Sequence, residues 1–509
     1  MANSKCGNIL KKISVIGNKK NKFILNPSIS FFKYVYVSSL QMKKKLLIED
    51  PSTTIPNQQF ETDLTLHYTI PNKGLDYLSE VYLNLILNST SIDSTDNNIK
   101  PLFAYKKKLG FAIINEINIS INNQNIETIT GEWLNIWYEL TNIYKNIDTM
   151  IGNTIELYNF SKSKKEVNLI IPIPVWFSKD IGSYFPIFKL DQNQNIHIDI
   201  KFNNFDDFII KGPTHYLFIK ENIISLKKYE VIQQLDNNNH YVYGLFIEYN
   251  IYQQKLYYIK LSDNNFIKNS NKKIFGRESL FQVTPNSEFY RINSNSINLT
   301  IKKSHLFING IKLFNNLGYS LDLYKKKQDI YYISTPKKLL NIDIPDNNIY
   351  KFIMNGLSKE LIWTYSLKYI YNKLDKFNYT YDIFDKFNNN VAKQISLYFD
   401  SNNHSTKNNF ISNNKSIDYK FYNYLVPLFS HSSTPCIGIN NINLCLYPED
   451  KQVNGYINFT NKNIELELML NLDTNLNSSA YPKSIILNVY TNNIKQLKII
   501  NNSIEIKQL

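Results

Sequence analysis

Apolar and polar residues alternate through much of the chain. Leu64, Leu66, Tyr68 and Ile70 are separated by polar residues, and Pro71-Asn72-Lys73-Gly74 ends the run. Val81, Leu83, Leu85 and Leu87 form a second stretch, and Ile117, Ile119 and Ile121 a third that stops at Asn122-Asn123. Ile196, Ile198, Ile200 and Phe202 form a fourth; later come Ile464, Leu466, Leu468 and Leu470, then Ile485, Leu487 and Val489. A period of two puts successive apolar side chains on one face of a strand. Many such strands, punctuated by Asn, Pro and Gly, predict an all-β fold of packed antiparallel sheets, a sandwich or jelly roll. Asn-, Lys- and Ser-rich stretches at 91–100, 261–275 and 400–416 read as loops. Phe307, Ile308, Ile311, Leu313 and Phe314 fit neither the strand nor the helix period.

One segment keeps a helical period. Trp133, Ile136, Trp137 and Leu140 stand at i, i+3, i+4 and i+7, which makes a single apolar stripe. Gly131 and Glu132 open it, and an acidic residue suits the positive end of the helix dipole. The stripe predicts a helix packed onto a sheet; a ligand platform of indoles is the alternative.

Composition narrows the function classes. The 509 residues are 43% hydrophobic and 14% aromatic, which excludes a disordered chain. Cys6, Cys436 and Cys445 are too few for a disulfide framework and lack zinc-ligand spacing. The most apolar stretch, 169–177, is short and carries two prolines, so no membrane-spanning helix is expected. Closely spaced lysines leave no apolar core for a signal peptide near the N-terminus. Phosphate-binding, metalloprotease, serine-hydrolase and dinucleotide motifs do not occur. Of seven histidines only His431, five residues before Cys436, has a candidate co-ligand nearby, and it reads as a loop histidine beside a buried cysteine. No catalytic, cofactor-binding or metal-ligating residues are therefore expected, and no cofactor.

Charge adds one feature. Lys and Arg number 57 and Asp and Glu 43, a net charge of +14. Lys5, Lys11, Lys12, Lys19, Lys20, Lys22, Lys33, Lys43, Lys44 and Lys45 precede the first acid, Glu49, so the remaining residues carry only +4. Arg277 and Arg291 are the only arginines, which argues against specific nucleic-acid recognition. The basic arm over residues 1–25 reads either as a segment that meets an anionic bilayer or acidic proteins, or as a solvated tail.

Several motifs occur together and in order. Asn26-Pro27 leads into Phe31-Phe32-Lys33; Gly110 is followed by Gly131, Trp133 and Trp137; Pro172 precedes Trp176-Phe177 and Pro186. In the second half come Lys359-Glu360-Leu361-Ile362-Trp363, then Pro435 and Gly438, then Pro448-Glu449 with Gln452, Gly455 and Asn458-Phe459. A closing Val489-Tyr490 strand completes the set. Over roughly residues 26–500 the chain resembles the double jelly-roll major capsid proteins of nucleocytoplasmic large DNA viruses. It departs from them at Val453-Asn454, Asn461 and Tyr252-Gln253-Gln254-Lys255.

The resemblance implies two tandem eight-stranded jelly rolls with a few short helices, at 26–256 and 257–500, between the arm and a C-terminal tail at 501–509. It implies a structural protein, not an enzyme. Three copies would form a pseudo-hexagonal capsomer that tiles an icosahedral shell. The partners would be other copies of the chain, minor capsid proteins and, through the basic arm, an internal membrane; the location would be the virion, assembled in the host cytoplasm. A minor capsid paralogue, an assembly scaffold of the same fold, a β-sandwich carbohydrate-binding attachment protein and a cupin-like metal enzyme are the alternatives. The last would need ligands beside His197.

Overall fold

The structure, a computed structural model, describes residues 29–30, 33–34, 42–52, 58–60, 64–71, 74–92, 101–141, 147–178, 183–191, 194–221, 224–238, 241–269, 271–292, 297–313, 329–344, 349–380, 392–400, 408–409, 417–450, 453–459, 465–472, 485–500 and 503–508. Met1–Lys43 with Leu313–Leu317 make one compact unit, and Lys44–Lys312 with Gly318–Leu509 the other. In the smaller unit Ile29–Ser30 pairs with Lys33–Tyr34. Everything below concerns the larger one.

The alternating stretches are strands. One sheet runs Gln124–Thr130, Ile114–Ile121, Ile196–Phe202, Thr65–Ile70, all antiparallel. A second runs Val167–Ile173, Tyr77–Leu87, Thr300–Leu313, with residues 44–49 of Met42–Glu49 at its edge. Their inner faces share one core, in which Leu66, Tyr68, Ile117, Ile119 and Ile198 meet Leu83, Leu85, Ile171 and Leu306. The stretch around Phe307 that fitted neither period is thus a strand. Register shifts at Ile301/Lys303 and Asn309/Gly310 break its alternation, because a bulge inserts a residue and resets which face each side chain meets.

The second sandwich repeats the plan. One sheet runs Asp329–Ile344, Ile485–Ile500, Leu357–Leu367, Ile439–Asn443; the other runs Ile349–Ile353, Glu465–Leu472, Ala392–Asp400, Asn408–Asn409. Leu361, Trp363, Leu487 and Val489 pack with Phe352 in its core.

A further sheet, of seven strands, spans 215–291. Its strand Tyr241–Asn250 turns Tyr243, Leu245 and Ile247 toward the second core and Val242 and Phe246 toward a core of its own. Covered on both faces, the strand reads as a continuous apolar run rather than an alternating one. The boundary expected at 256/257 falls inside its strand Lys255–Lys260. The first sandwich takes Thr300–Leu313 from beyond that boundary. Residues expected as a C-terminal tail form the strand Ser503–Gln508, paired with Lys495–Ile500.

Candidate functional site at the seam between the two sandwiches

The helix expected from the tryptophan stripe is Gly131–Thr141, and Trp133, Ile136, Trp137 and Leu140 are all buried. The Thr130 hydroxyl accepts a hydrogen bond from the Trp133 amide at 3.1 Å, capping the first turn. A Cβ on residue 131 would lie 2.3 Å from the Ile114 carbonyl oxygen and 2.4 Å from that of Phe111. Glycine is therefore required where the helix starts against that turn. The Trp133 and Trp137 rings stack at 6.0 Å, and Trp133 packs on Tyr490 of the second sandwich at 5.6 Å.

Glu132 joins the sandwiches. Its side chain is buried, with the residue only 5% exposed. Oε1 accepts from Thr364 Oγ1 at 2.8 Å and Asn488 Nδ2 at 3.1 Å, and Oε2 accepts from Tyr490 at 2.8 Å. Lys338 Nζ stands 3.9 Å from Oε2. The three donors come from neighbouring strands in register, Thr364 opposite Asn488 and Ile362 opposite Tyr490. Burying a carboxylate is strongly unfavourable unless its lone pairs are engaged, and here both oxygens are. Burial first, and then the charge of Glu132, hold the Tyr490 hydroxyl well above its ordinary pKa, so it stays a donor.

The far end of the helix is tied as well. Lys108 Nζ donates to Asn135 Oδ1 at 2.6 Å and to Glu139 Oε1 at 2.5 Å. Burial alone would lower the Lys108 pKa, but the attraction of Glu139 outweighs it and the net shift is upward. Asn135 Nδ2 donates to the Tyr379 hydroxyl at 3.3 Å, and the Ser433 amide to the Leu140 carbonyl at 2.8 Å. Lys106 Nζ donates to the Asn372 carbonyl at 2.6 Å, and burial pushes its pKa down to about 8. Between these ties, Ile362, Tyr490, Leu497 and Ile499 of the second sandwich are continuous with the first core. The seam is a polar-studded interior, not two surfaces resting together.

A second cluster ties the loop around Pro448 to the strand Leu357–Leu367. His431 lies between two carboxylates, Nε2 at 3.1 Å from Glu360 Oε2 and Nδ1 at 3.0 Å from Glu449 Oε1. The side chains of His431 and Glu360 are fully buried. Glu449 also accepts from the Ser432 amide at 2.7 Å and hydroxyl at 2.5 Å, and Glu360 from Asn492 Nδ2 at 3.0 Å. Lys359 Nζ donates to the carbonyls of Pro448 at 2.6 Å and Asp450 at 2.7 Å. Burial opposes charge on His431, but the bonds to Glu360 and Glu449 prevail and raise its pKa to about 9. Burial would raise both carboxyl pKa values; the hydrogen bonds from His431 outweigh it and hold them below the usual range.

The motif residues gather around these two places. Gly131, Trp133 and Trp137 belong to the seam helix. The buried Gly110 donates its amide to the Ile151 carbonyl at 2.8 Å. Pro435 is buried, and Gly438, at φ +92°, would put a Cβ 2.4 Å from the Tyr379 carbonyl oxygen. Pro172 pairs with Tyr82. Trp176 and Phe177 meet edge-on at 5.0 Å beside Phe185, and the buried Pro186 follows. Trp363 fills the second core against Tyr422. Pro448 and Glu449 serve the histidine cluster, and Gly455, at φ +147°, lies against Cys445. Asn458 is exposed opposite Leu357, and the buried Phe459 donates its amide to Gly356 at 2.9 Å.

Lys33 sits in the strand Lys33–Tyr34. Asn26, Pro27, Phe31, Phe32, Gln452 and the arm lysines Lys5, Lys11, Lys12, Lys19, Lys20 and Lys22 lie outside the described residues. Sequence reasoning missed the pairing of His431 with Glu360 and Glu449 and of Tyr490 with Glu132, and gave Glu132 only a dipole role. The available signal was charge inside an apolar strand, Lys359-Glu360 within Leu357–Leu367.

Among the described residues no group of three or more His, Cys, Asp or Glu is placed to hold a metal ion. His197 Nδ1 is engaged by Thr69 Oγ1 at 3.2 Å.

Residues 47–249 match the family model described as the N-terminus of the major capsid protein. Probable capsid protein 4 of Acanthamoeba polyphaga mimivirus is 26% identical over 479 residues, 87% of this chain and 89% of that one. The major capsid protein of Pyramimonas orientalis virus is 27% identical over 187 residues, 36% of this chain and 43% of its own. Among solved structures, the Faustovirus major capsid protein superposes with a TM-score of 0.58 at 11% identity, over 100% of this chain and 98% of that one. The PBCV-1 virus capsid structure gives 0.57 at 11% identity, over 94% and 99%. Two sandwiches sealed by a buried seam, and relatives that are capsid proteins, mark a structural protein of the virion rather than an enzyme: the chain has the double jelly-roll fold and is similar to the major capsid proteins of nucleocytoplasmic large DNA viruses.

Proposed function

We propose that three copies associate into a capsomer with six lobes, and that these capsomers tile an icosahedral shell. The observation that carries this reading is the seam. It welds two similar sandwiches into one body, so three bodies about a three-fold axis present six similar lobes to their neighbours. Closed rings of identical contacts suit a shell unit, since each modest interface is repeated by symmetry. Under this reading the chain is the shell protein itself rather than a minor paralogue or scaffold, and its partners are further copies of itself and minor capsid proteins. Assembly takes place in the host cytoplasm. The basic arm then faces an internal membrane, where each lysine near an anionic bilayer contributes about 1 kcal/mol.

Light scattering on the full chain tests the trimer. A mass three times the 59.8 kDa of one chain is expected, and a stable mass of one chain at micromolar concentration overturns it. Liposome flotation with and without residues 1–22 tests the arm: binding that is salt-sensitive and lost on truncation is expected, and equal, salt-insensitive binding overturns it.

A further inference from the structure

The cluster at His431 has a feature that packing alone does not require. Both ring nitrogens face carboxylate oxygens, at 3.1 Å and 3.0 Å, and the imidazole is fully buried. A neutral imidazole has one N–H and one lone pair, so one nitrogen would point a lone pair at a carboxylate. With both carboxylates ionised, the geometry is satisfied on both sides only by an imidazolium that donates twice.

The charged and titratable groups around it come from three elements. Glu360 and Lys359 lie on the strand Leu357–Leu367; Glu449, Asp450 and Cys445 come from the loop; Ile485–Ile500 contributes Asn492, which is uncharged. Burial pushes the Cys445 thiol up to about 12, so it stays neutral. With His431 charged, the two buried cations balance Glu360 and Glu449.

We propose that His431 is a charge-locked clasp that holds the loop 445–450 and the turn 430–433 onto the strand Leu357–Leu367 at acidic and neutral pH and releases them in alkali. The loop is anchored at its base by the bond from the Leu444 amide to the Lys359 carbonyl and by the pairing of Ile439–Asn443 with the strand, and beyond that base the segments meet through His431, Ser432, Glu449 and the Lys359 contacts to Pro448 and Asp450. Removing one proton leaves a buried carboxylate facing a lone pair, and the loop then swings out so that Glu449 regains water. The sign is opposite to that of a histidine that gains its charge on acidification. For a shell component this means that acidification leaves the clasp shut.

The linkage sign follows directly. The folded-state pKa, about 9, lies above the ordinary value of 6.5. The clasp is therefore fully stabilising below pH 6.5, and its opening equilibrium rises about tenfold per pH unit from there toward pH 9. The low pKa values of Glu360 and Glu449 extend the closed range on the acid side.

Hydrogen exchange on the full-length protein, corrected for intrinsic chemical rates, tests this at pH 5, 6.5 and 9. Peptides covering 430–433 and 445–450 are expected to open between pH 6.5 and 9 but not between 5 and 6.5, while the core strand Tyr77–Leu87 stays protected. The variant His431→Gln should be open at all three pH values, with the pH dependence gone. If it does not fold, the wild-type profile and Glu449→Gln decide, the latter losing the steep rise. Opening on acidification, an equal change across the whole chain, or an unaltered profile in the folded variants overturns the proposal.

Discussion

Two sheets of this protein carry the same alternating pattern and meet opposite fates. In the first sandwich Thr65–Ile70 and Ile196–Phe202 bury Leu66, Tyr68, Ile198 and Ile200 and turn their polar residues outward. On that outer face His67 Nδ1 and Asp199 Oδ1 lie 2.7 Å apart with side chains 54% and 37% exposed. In the second sandwich Leu357–Leu367 and Ile485–Ile500 also alternate, yet Ser358, Glu360, Thr364, Ser366, Asn488 and Asn492 are all buried. Thr364 and Asn488 on that face meet Glu132 of the seam helix, and Glu360 and Asn492 meet the His431 cluster. Alternation separates two faces of a strand; what each face meets depends on the rest of the fold. Where the polar face is covered, its groups find partners inside the protein, as Thr364, Asn488 and Tyr490 find the Glu132 carboxylate.

The comparison can be attacked in order of expected effect. Trp133→Ala removes the indole that stacks on Trp137 and packs on Tyr490, and should cost about 3–5 kcal/mol in denaturant unfolding. It should also split one transition into two as the sandwiches uncouple; a single unshifted transition would show the seam to be energetically silent. Glu132→Ala leaves three buried donors without their acceptor and should cost about 3 kcal/mol, read by the same measurement.

Third, the His431 contribution is present below pH 6.5 and lost as pH rises through about 9. The unfolding free energy measured in urea should therefore fall over that window by an amount on the order of 2 kcal/mol. Lys106 acts in the opposite direction, because its pKa is lowered to about 8 and the penalty on its charged form eases above that. The difference between wild type and His431→Gln isolates the clasp.

Thr364→Val, which removes one donor to Glu132, should cost about 1 kcal/mol. Asp199→Ala breaks the 2.7 Å contact with His67, which is exposed, and should change stability by about 0.5 kcal/mol or less. If Asp199→Ala matched Glu132→Ala, the contrast between the two faces would fail.

Much of the fold was legible because its signals are local. The strands around residues 65–70, 81–87, 117–121 and 196–202 follow from a two-residue period, and the seam helix from its i, i+3, i+4, i+7 tryptophan stripe. The seven-stranded sheet was not legible as a separate layer. Its strand Tyr241–Asn250 is covered on both faces, which erases alternation, and Thr300–Leu313 hides its period behind two bulges. At the site, the motifs named Trp133, Trp363 and Glu449 without saying what they touch. His431 looked like a loop residue because its partners lie 71 and 18 positions away.

The sequence by itself determined that this is an all-β chain with one tryptophan-striped helix, a lysine-rich N-terminal stretch and no catalytic constellation. Those properties live in periodicity and composition, which a single strand or segment already contains. Only the tertiary structure decided that the polar face of the second sandwich is interior, that Glu132 joins the two halves and that His431 is held as a cation. Each of these depends on long-range pairing between residues far apart in sequence, and on a desolvation penalty that arises only when the two sandwiches close on one another.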